Sequence, residues 1–173
     1  MNVLEKFKPI KTFVFDIDGV LTDGSVVLLS DGLQARTMNV KDGLALQMAI
    51  KNGYVVVVIS GAFSEPVSTR FQYLGIKTVF LGIKNKAQFL DDYFQQQNLD
   101  WKRTLVMGDD LPDLALLRKA ALACCPADAV QEVKEICTYI SPAKGGKGCV
   151  RDVIEKVLKL NDHWIFDMEI TSK

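Results

Sequence analysis

The 173-residue sequence predicts an α/β protein, a doubly wound parallel sheet with helices on both faces. Short β-branched or aromatic runs alternate along the chain with amphipathic helical stretches. The longest of these runs, Tyr54–Ile59, is apolar throughout, as a strand buried on both faces should be. Four of the runs end in polar residues, and in open parallel sheets ligands gather beyond the carboxyl ends of the strands.

Taken in order, Thr12–Phe15 reads as a short buried strand with no room for a helix before Gly19. Strand alternation puts Asp16 and Asp18 on one face as it ends, and Gly19 and Gly24 let the chain turn closely there. Ser25–Leu29 and Gln34–Met38 flank Ser30-Asp31-Gly32-Leu33, a hairpin signal. Asp42-Gly43 opens a helix bearing Leu44, Ala45, Met48 and Ala49, closed by Asn52-Gly53. The strand Val55–Ile59 runs into Ser60-Gly61. Ser64 is placed to cap the next helix, Pro66 suits its first turn, and Gly75 stops it. Thr78–Leu81 is a short strand, and the helix from about Asn85 to Gln97 buries Phe89, Leu90, Tyr93 and Phe94. Thr104–Met107 is a strand ending in Gly108-Asp109-Asp110. A helix from Pro112 to about Lys119, a strand Ala121–Cys125, a helix near Asp128 and a small edge strand at Thr138–Ile140 follow. The last helix, after a glycine-rich loop, carries Val150, Val153, Ile154, Val157 and Leu158 at helical spacing.

Length fits one domain over residues 1–173, with a hairpin flap at 25–38 and a C-terminal tail at 161–173. Lysine plus arginine equals aspartate plus glutamate at 21 each, so no overall field favours nucleic acid or a membrane surface. Met1–Ile10 lacks the apolar run of a signal peptide, and no run is long enough to span a bilayer. Cys124, Cys125, Cys137 and Cys149 lack paired metal-ligand spacing and read as reduced thiols of a cytoplasmic protein. The only histidine, His163, lies in the polar tail, which argues against histidine-based catalysis.

The doubly wound fold gathers Asp16 and Asp18, Ser60 and Gly61, Lys84 or Lys86, and Asp109, Asp110 and Asp113 at one rim. Singly, each is a cap, a turn or a surface charge. Together they suit phosphoryl transfer through an aspartate. One carboxylate attacks phosphorus while a magnesium ion, which takes hard oxygen ligands, neutralises charge. A hydroxyl and a backbone amide hold a phosphoryl oxygen and a lysine offsets the remaining charge. A second carboxyl protonates the leaving oxygen and then deprotonates water, and Asp18 is placed for this.

The runs Asp16-Ile-Asp18-Gly-Val-Leu-Thr-Asp-Gly, Ile59-Ser60-Gly61, Asn85-Lys86 and Gly108-Asp109-Asp110-Leu-Pro-Asp113 resemble the four motifs of the haloacid dehalogenase superfamily. With Asn39-Val-Lys-Asp42-Gly43 and Gly145-Gly-Lys-Gly148, residues 10–160 resemble more closely its phosphatases of 3-deoxy-D-manno-octulosonate 8-phosphate, a sugar acid phosphate of lipopolysaccharide synthesis. The resemblance implies a Rossmann-like sheet of haloacid dehalogenase type and a magnesium-dependent phosphomonoesterase working through an aspartyl phosphate. It makes Asp16 the nucleophile and Asp18 the acid/base, with Asp16, Asp18 (through its backbone carbonyl) and Asp109 on magnesium. Ser60 and Gly61 would hold phosphate, Lys86 rather than Lys84 would balance charge, and Asn39 would meet the substrate. From its own residues the loop Lys144-Gly-Gly-Lys147-Gly148 reads either as amides and a cation, Lys147, meeting a sugar acid's carboxylate or as a flexible turn before the last helix. Asp110 and Asp113 would bind metal-bound water or orient the loop. In the resembled enzymes the residue after the Ser/Thr-Gly pair is often arginine, and in relatives acting on a nine-carbon keto-sugar acid 9-phosphate it is glutamate. Here it is Ala62, which keeps the nine-carbon substrate as the alternative.

About forty residues separate Asp18 from Ser60 and about two dozen separate Ser60 from Lys86, too few for a cap domain in either interval. An uncapped site needs another means of excluding water. The apolar flap (Val26, Val27, Leu28, Leu29) predicts burial against a second subunit, and the resemblance implies a homotetramer whose hairpins and tails complete neighbouring sites. In the tail, Trp164, Ile165 and Phe166 suit docking on a partner chain. A phospho-receiver domain shares the acidic pocket, hydroxyl and lysine, but its phosphoacceptor follows the third strand, where this chain has lysine. An idle binding module is the other non-enzyme reading, and no motif residue is missing to favour it.

Overall fold

The computed structural model describes residues 2–165. Its centre is a six-stranded, all-parallel sheet. The strands in chain order are β1 (Thr12–Phe15), then β2 (Val27–Leu28) and β3 (Gln34–Ala35) of a separate antiparallel hairpin, β4 (Val55–Ile59), β5 (Thr78–Phe80), β6 (Thr104–Met107), β7 (Leu122–Cys125) and β8 (Tyr139–Ile140). In space the order is β5-β4-β1-β6-β7-β8, so the chain winds outward from β1 to one side and then returns to wind outward on the other. The helices are α1 (Val40–Lys51), α2 (Glu65–Tyr73), α3 (Lys86–Gln97), α4 (Leu114–Leu117), α5 (Gln131–Ile136) and α6 (Cys149–Leu160).

Strand alternation sorts the core into two layers. Phe13, Phe15, Val56, Val58, Leu105 and Met107 face α1, α2 and α6, while Val14, Val57, Ile59 and Val106 face α3, α4 and α5. Both faces are covered, which is the condition for an all-parallel sheet. No cap domain is inserted among the described residues, and no helix there is long and apolar enough to cross a membrane. The four cysteines are free, with Cys124, Cys125 and Cys149 buried.

Several elements differ from expectation at their ends. The flap strands shrink to two residues each, the Val27–Ala35 and Leu28–Gln34 pairs, with the Leu29 N–H donating to the Leu33 carbonyl at 2.9 Å at the tip and an isolated bridge between Thr22 and Met38 at the base. α1 starts at Val40, where the Asn39 side chain accepts from the Lys41 N–H at 2.8 Å. Ser64 precedes α2 without a side-chain capping bond. The helix expected from Pro112 opens as a tight turn, Leu111–Asp113, before α4. α5 follows Asp128 as expected, beginning at Gln131, and the Asp128 carboxylate accepts from the Gly145 N–H at 2.9 Å. Of the expected tail, Phe166 and the residues after it lie outside the described residues.

Candidate active site

Register brings the site together. Phe15 stands level with Val58 on β4 and with Met107 on β6, so Asp16, Ser60 and Asp109 emerge at one rim where the winding direction reverses. Ile17–Leu21 then forms a single wide turn closed by Thr22 N–H to the Ile17 carbonyl at 2.9 Å. The buried Thr22 hydroxyl pins this turn: it donates to the Ile17 carbonyl and accepts from the Gly19 and Gly24 N–H groups. Gly19 has φ +88°, and a Cβ there would lie 2.0 Å from Asp109 Oδ2, so only hydrogen fits against that carboxylate.

A chain of charged groups fills the floor of a cavity of about 310 Å³ lined by Asp16, Asp18, Ser60, Ala62, Lys86 and Asp109, among others. Lys86 Nζ donates to Asp16 Oδ1 at 2.5 Å and to Asp113 Oδ1 at 2.8 Å. Asp113 Oδ2 accepts from the Asp109 N–H at 3.1 Å. Asp16 is 7% exposed and Lys86 8%. Burial, then the Asp113 charge, pushes Asp16 up to about 7 despite Lys86. Burial, then Asp113 and Asp110, likewise pushes Asp109 up to about 7. Burial works against the Lys86 ammonium, but the Asp16 and Asp113 carboxylates outweigh it and its pKa rises. Three carboxylates, one each from Asp16, Asp109 and Asp113, have oxygens within 4.8 Å of one another. Crowded, half-desolvated carboxylates with oxygen as the only donor fit a hard divalent cation.

The structure places the expected residues unequally. Asp16, Ser60, Lys86, Asp109 and Asp113 converge, and Gly61 and Asp18 line the same cavity. The Asp18 carboxylate turns away from the acidic cluster toward Arg36 of the flap, with Nε–Oδ1 at 2.6 Å and Nη2–Oδ2 at 3.3 Å. Ser60 Oγ accepts from the Ala62 N–H at 3.0 Å. Lys147 is exposed, 3.7 Å from Asp23. Asn39 donates to the Gly146 carbonyl at 3.4 Å. The glycine-rich loop itself packs against the Ile17–Leu21 turn: a Cβ on Gly145 would lie 2.0 Å from the Gly19 carbonyl oxygen. Arg36, which pairs with Asp18, is the residue at this site that no sequence motif marked, while Thr22 and Gly145 lie inside quoted motifs whose packing the motifs do not show. A second cavity of about 310 Å³, between the flap and α2, is lined by Leu29, Leu33, Arg36, Met38, Val67 and Arg70.

Comparison with known proteins is consistent along the chain. Residues 79–152 match the family model of haloacid dehalogenase-like hydrolases. The 3-deoxy-D-manno-octulosonate 8-phosphate phosphatase of Haemophilus influenzae is 32% identical over 155 residues, covering 90% of this chain and 86% of that one. The chain belongs to the haloacid dehalogenase-like hydrolases. Within that family it is a phosphatase. A probable YrbI family phosphatase of Pseudomonas syringae superposes with a TM-score of 0.90 at 35% identity, over 94% of this chain and 92% of that one. The octulosonate 8-phosphate phosphatase of Moraxella catarrhalis, solved with magnesium, phosphate and 3-deoxy-D-manno-octulosonate, has a TM-score of 0.89 at 32% identity, covering 93% of each chain.

Proposed function

We propose that this phosphatase, a single domain over residues 1–173, hydrolyses 3-deoxy-D-manno-octulosonate 8-phosphate in the cytoplasm through a phosphoryl group carried on Asp16. The observation that carries the reading is the buried Asp16 carboxylate, held by Lys86 and set within 4.8 Å of the Asp109 and Asp113 oxygens. The relatives' named substrate and the magnesium-bound Moraxella structure support it.

Asp16 attacks phosphorus, and the ester P–O bond breaks with its electron pair leaving on the sugar oxygen. Asp18 gives that oxygen a proton, then takes one from the water that attacks the phosphorylated Asp16, freeing phosphate and restoring the carboxylate. Ser60 Oγ already accepts from Ala62, so its own proton is available to a phosphoryl oxygen, beside the amide at Gly61. Lys86 keeps the nucleophile oriented and offsets phosphoryl charge. A magnesium ion held by Asp16 and Asp109, with the Asp18 carbonyl and Asp113 beside them, would supply the remaining charge neutralisation. For the sugar we keep Asn39, which donates to the Gly146 carbonyl, and Lys147, whose ammonium lies 3.7 Å from Asp23.

Ala62 lines the cavity and offers no charge. The nine-carbon 9-phosphate is therefore the second arm of the test. Phosphate release is measured from both sugars with and without magnesium, with Asp16→Asn as control. Magnesium-dependent release that favours the octulosonate ester supports the reading; preference for the nine-carbon ester reassigns the substrate; release that survives Asp16→Asn removes the mechanism.

A further inference from the structure

The flap is exposed almost everywhere, yet the Arg36 side chain that it carries is only 5% exposed. A buried guanidinium needs a partner, and this one has Asp18, gripped at two points, with Gln34 Oε1 accepting from Nη2 at 3.4 Å. Two contacts from one planar fork fix both the position and the rotation of a carboxylate, which a lysine ammonium cannot do. Asp18 has no other side-chain partner among the described residues, so its carboxylate stands where Arg36 puts it. The isolated Thr22–Met38 bridge ties the segment after Arg36 back to the end of the Ile17–Leu21 turn that carries Asp18.

We propose that Arg36 is a positioning residue for the proton-transfer carboxylate of Asp18, and that the flap thereby sets where the leaving oxygen receives its proton. The inference rests on the reading of Asp18 as acid/base. Among the described residues Arg36 makes no hydrogen bond to Asp16; it acts through Asp18. Its loss should weaken the steps that need a proton delivered and leave attack by Asp16 intact.

Leaving groups separate these effects. p-Nitrophenolate departs without protonation, whereas the phenolate of phenyl phosphate is a poorer leaving group and gains more from a proton donor. Single-turnover release of each phenol, with enzyme in excess, reads the first chemical step alone. Arg36→Gln is expected to slow phenol release about tenfold or more while changing p-nitrophenol release less than about twofold, and Arg36→Lys, a one-point contact, to recover part of the loss. In an Asp18→Asn background, Arg36→Gln should add nothing. Equal slowing of both esters would mean that Arg36 serves binding or folding, and an undiminished effect in Asp18→Asn would mean that it acts on another group; either overturns the proposal. Asp18→Asn measured alone tests the underlying reading: if it slows both esters equally or neither, the acid/base role fails, and Arg36 fails with it. If Asp18→Asn slows phenol selectively and Arg36→Gln does not, only the proposal falls.

Discussion

Asp16 is poorly placed for stability. Its carboxyl is buried beside Asp113 and Asp109, and Lys86 offsets those charges only in part. A folded-state pKa raised to about 7, against the ordinary carboxylate value near 4, means that the folded chain holds a proton that the unfolded chain has released. The stability tied to that proton is fully present below about pH 4 and lost as pH rises through about 7, with Asp109 adding to the same trend. Asp16→Asn should therefore abolish turnover yet raise the melting temperature at pH 8 in the absence of divalent ions, with little change at pH 5. Melting curves at the two pH values check this, and magnesium should narrow the gap by stabilising the wild type more than the variant. At this scale the sequence was readable where chemistry lies next to a strand end: Asp16, Ser60, Lys86 and Asp109 all follow or face one. Arg36 was not readable, because its partner is 18 residues away across a turn whose closure no local pattern announces.

The catalytic turn is braced from below by another loop. Gly145 and Gly146 lie against the backbone of Gly19, Thr22 and Asp23, the Gly146 N–H donates to the Val20 carbonyl at 2.9 Å, and Asp128 accepts from Gly145. Cys149 and Val150 of α6 then enter the core beneath, and the Arg151 N–H meets the buried Asp42 carboxylate of α1 at 2.7 Å. Two glycines are needed because the backbones touch. From the sequence the loop reads as a turn before the last helix or a cradle for a sugar carboxylate, since a glycine required for packing and one required for a ligand look alike. Gly145→Ala would force a methyl into the Gly19 carbonyl, and a shift of the catalytic turn is the only relief. A loss of about 1–3 kcal/mol of stability is expected, with a larger proportional loss of turnover than Lys144→Ala on the exposed edge of the loop. Urea denaturation and phosphate-release assays on the two variants measure both.

For the whole molecule, the open question is what covers the flap. Val27 is 56% exposed, Leu28 77% and Leu33 59%, on a hairpin with two paired residues per strand. A two-stranded ribbon of that size is marginal in water by itself, and clustered apolar side chains on a surface mark a contact. The sheet and its uncapped rim were legible in the sequence because spacing between strand-end residues leaves no room for an insertion. The flap's fate was not, because burial against a second copy leaves no trace in one chain's periodicity. We expect a homotetramer assembled through the flap. A sizing column at micromolar concentration should show it, and Leu28→Lys should yield a smaller species. The Arg36–Asp18 pair lies within one chain, but a flap of two paired residues per strand that loses its cover should fray, so assembly and proton delivery should weaken together. The smaller species formed by Leu28→Lys is therefore expected to slow phenol release more than p-nitrophenol release, as Arg36→Gln does. A wild-type chain eluting as a monomer would instead leave the flap resting on its own domain, with Asp18 positioned without help from a neighbour.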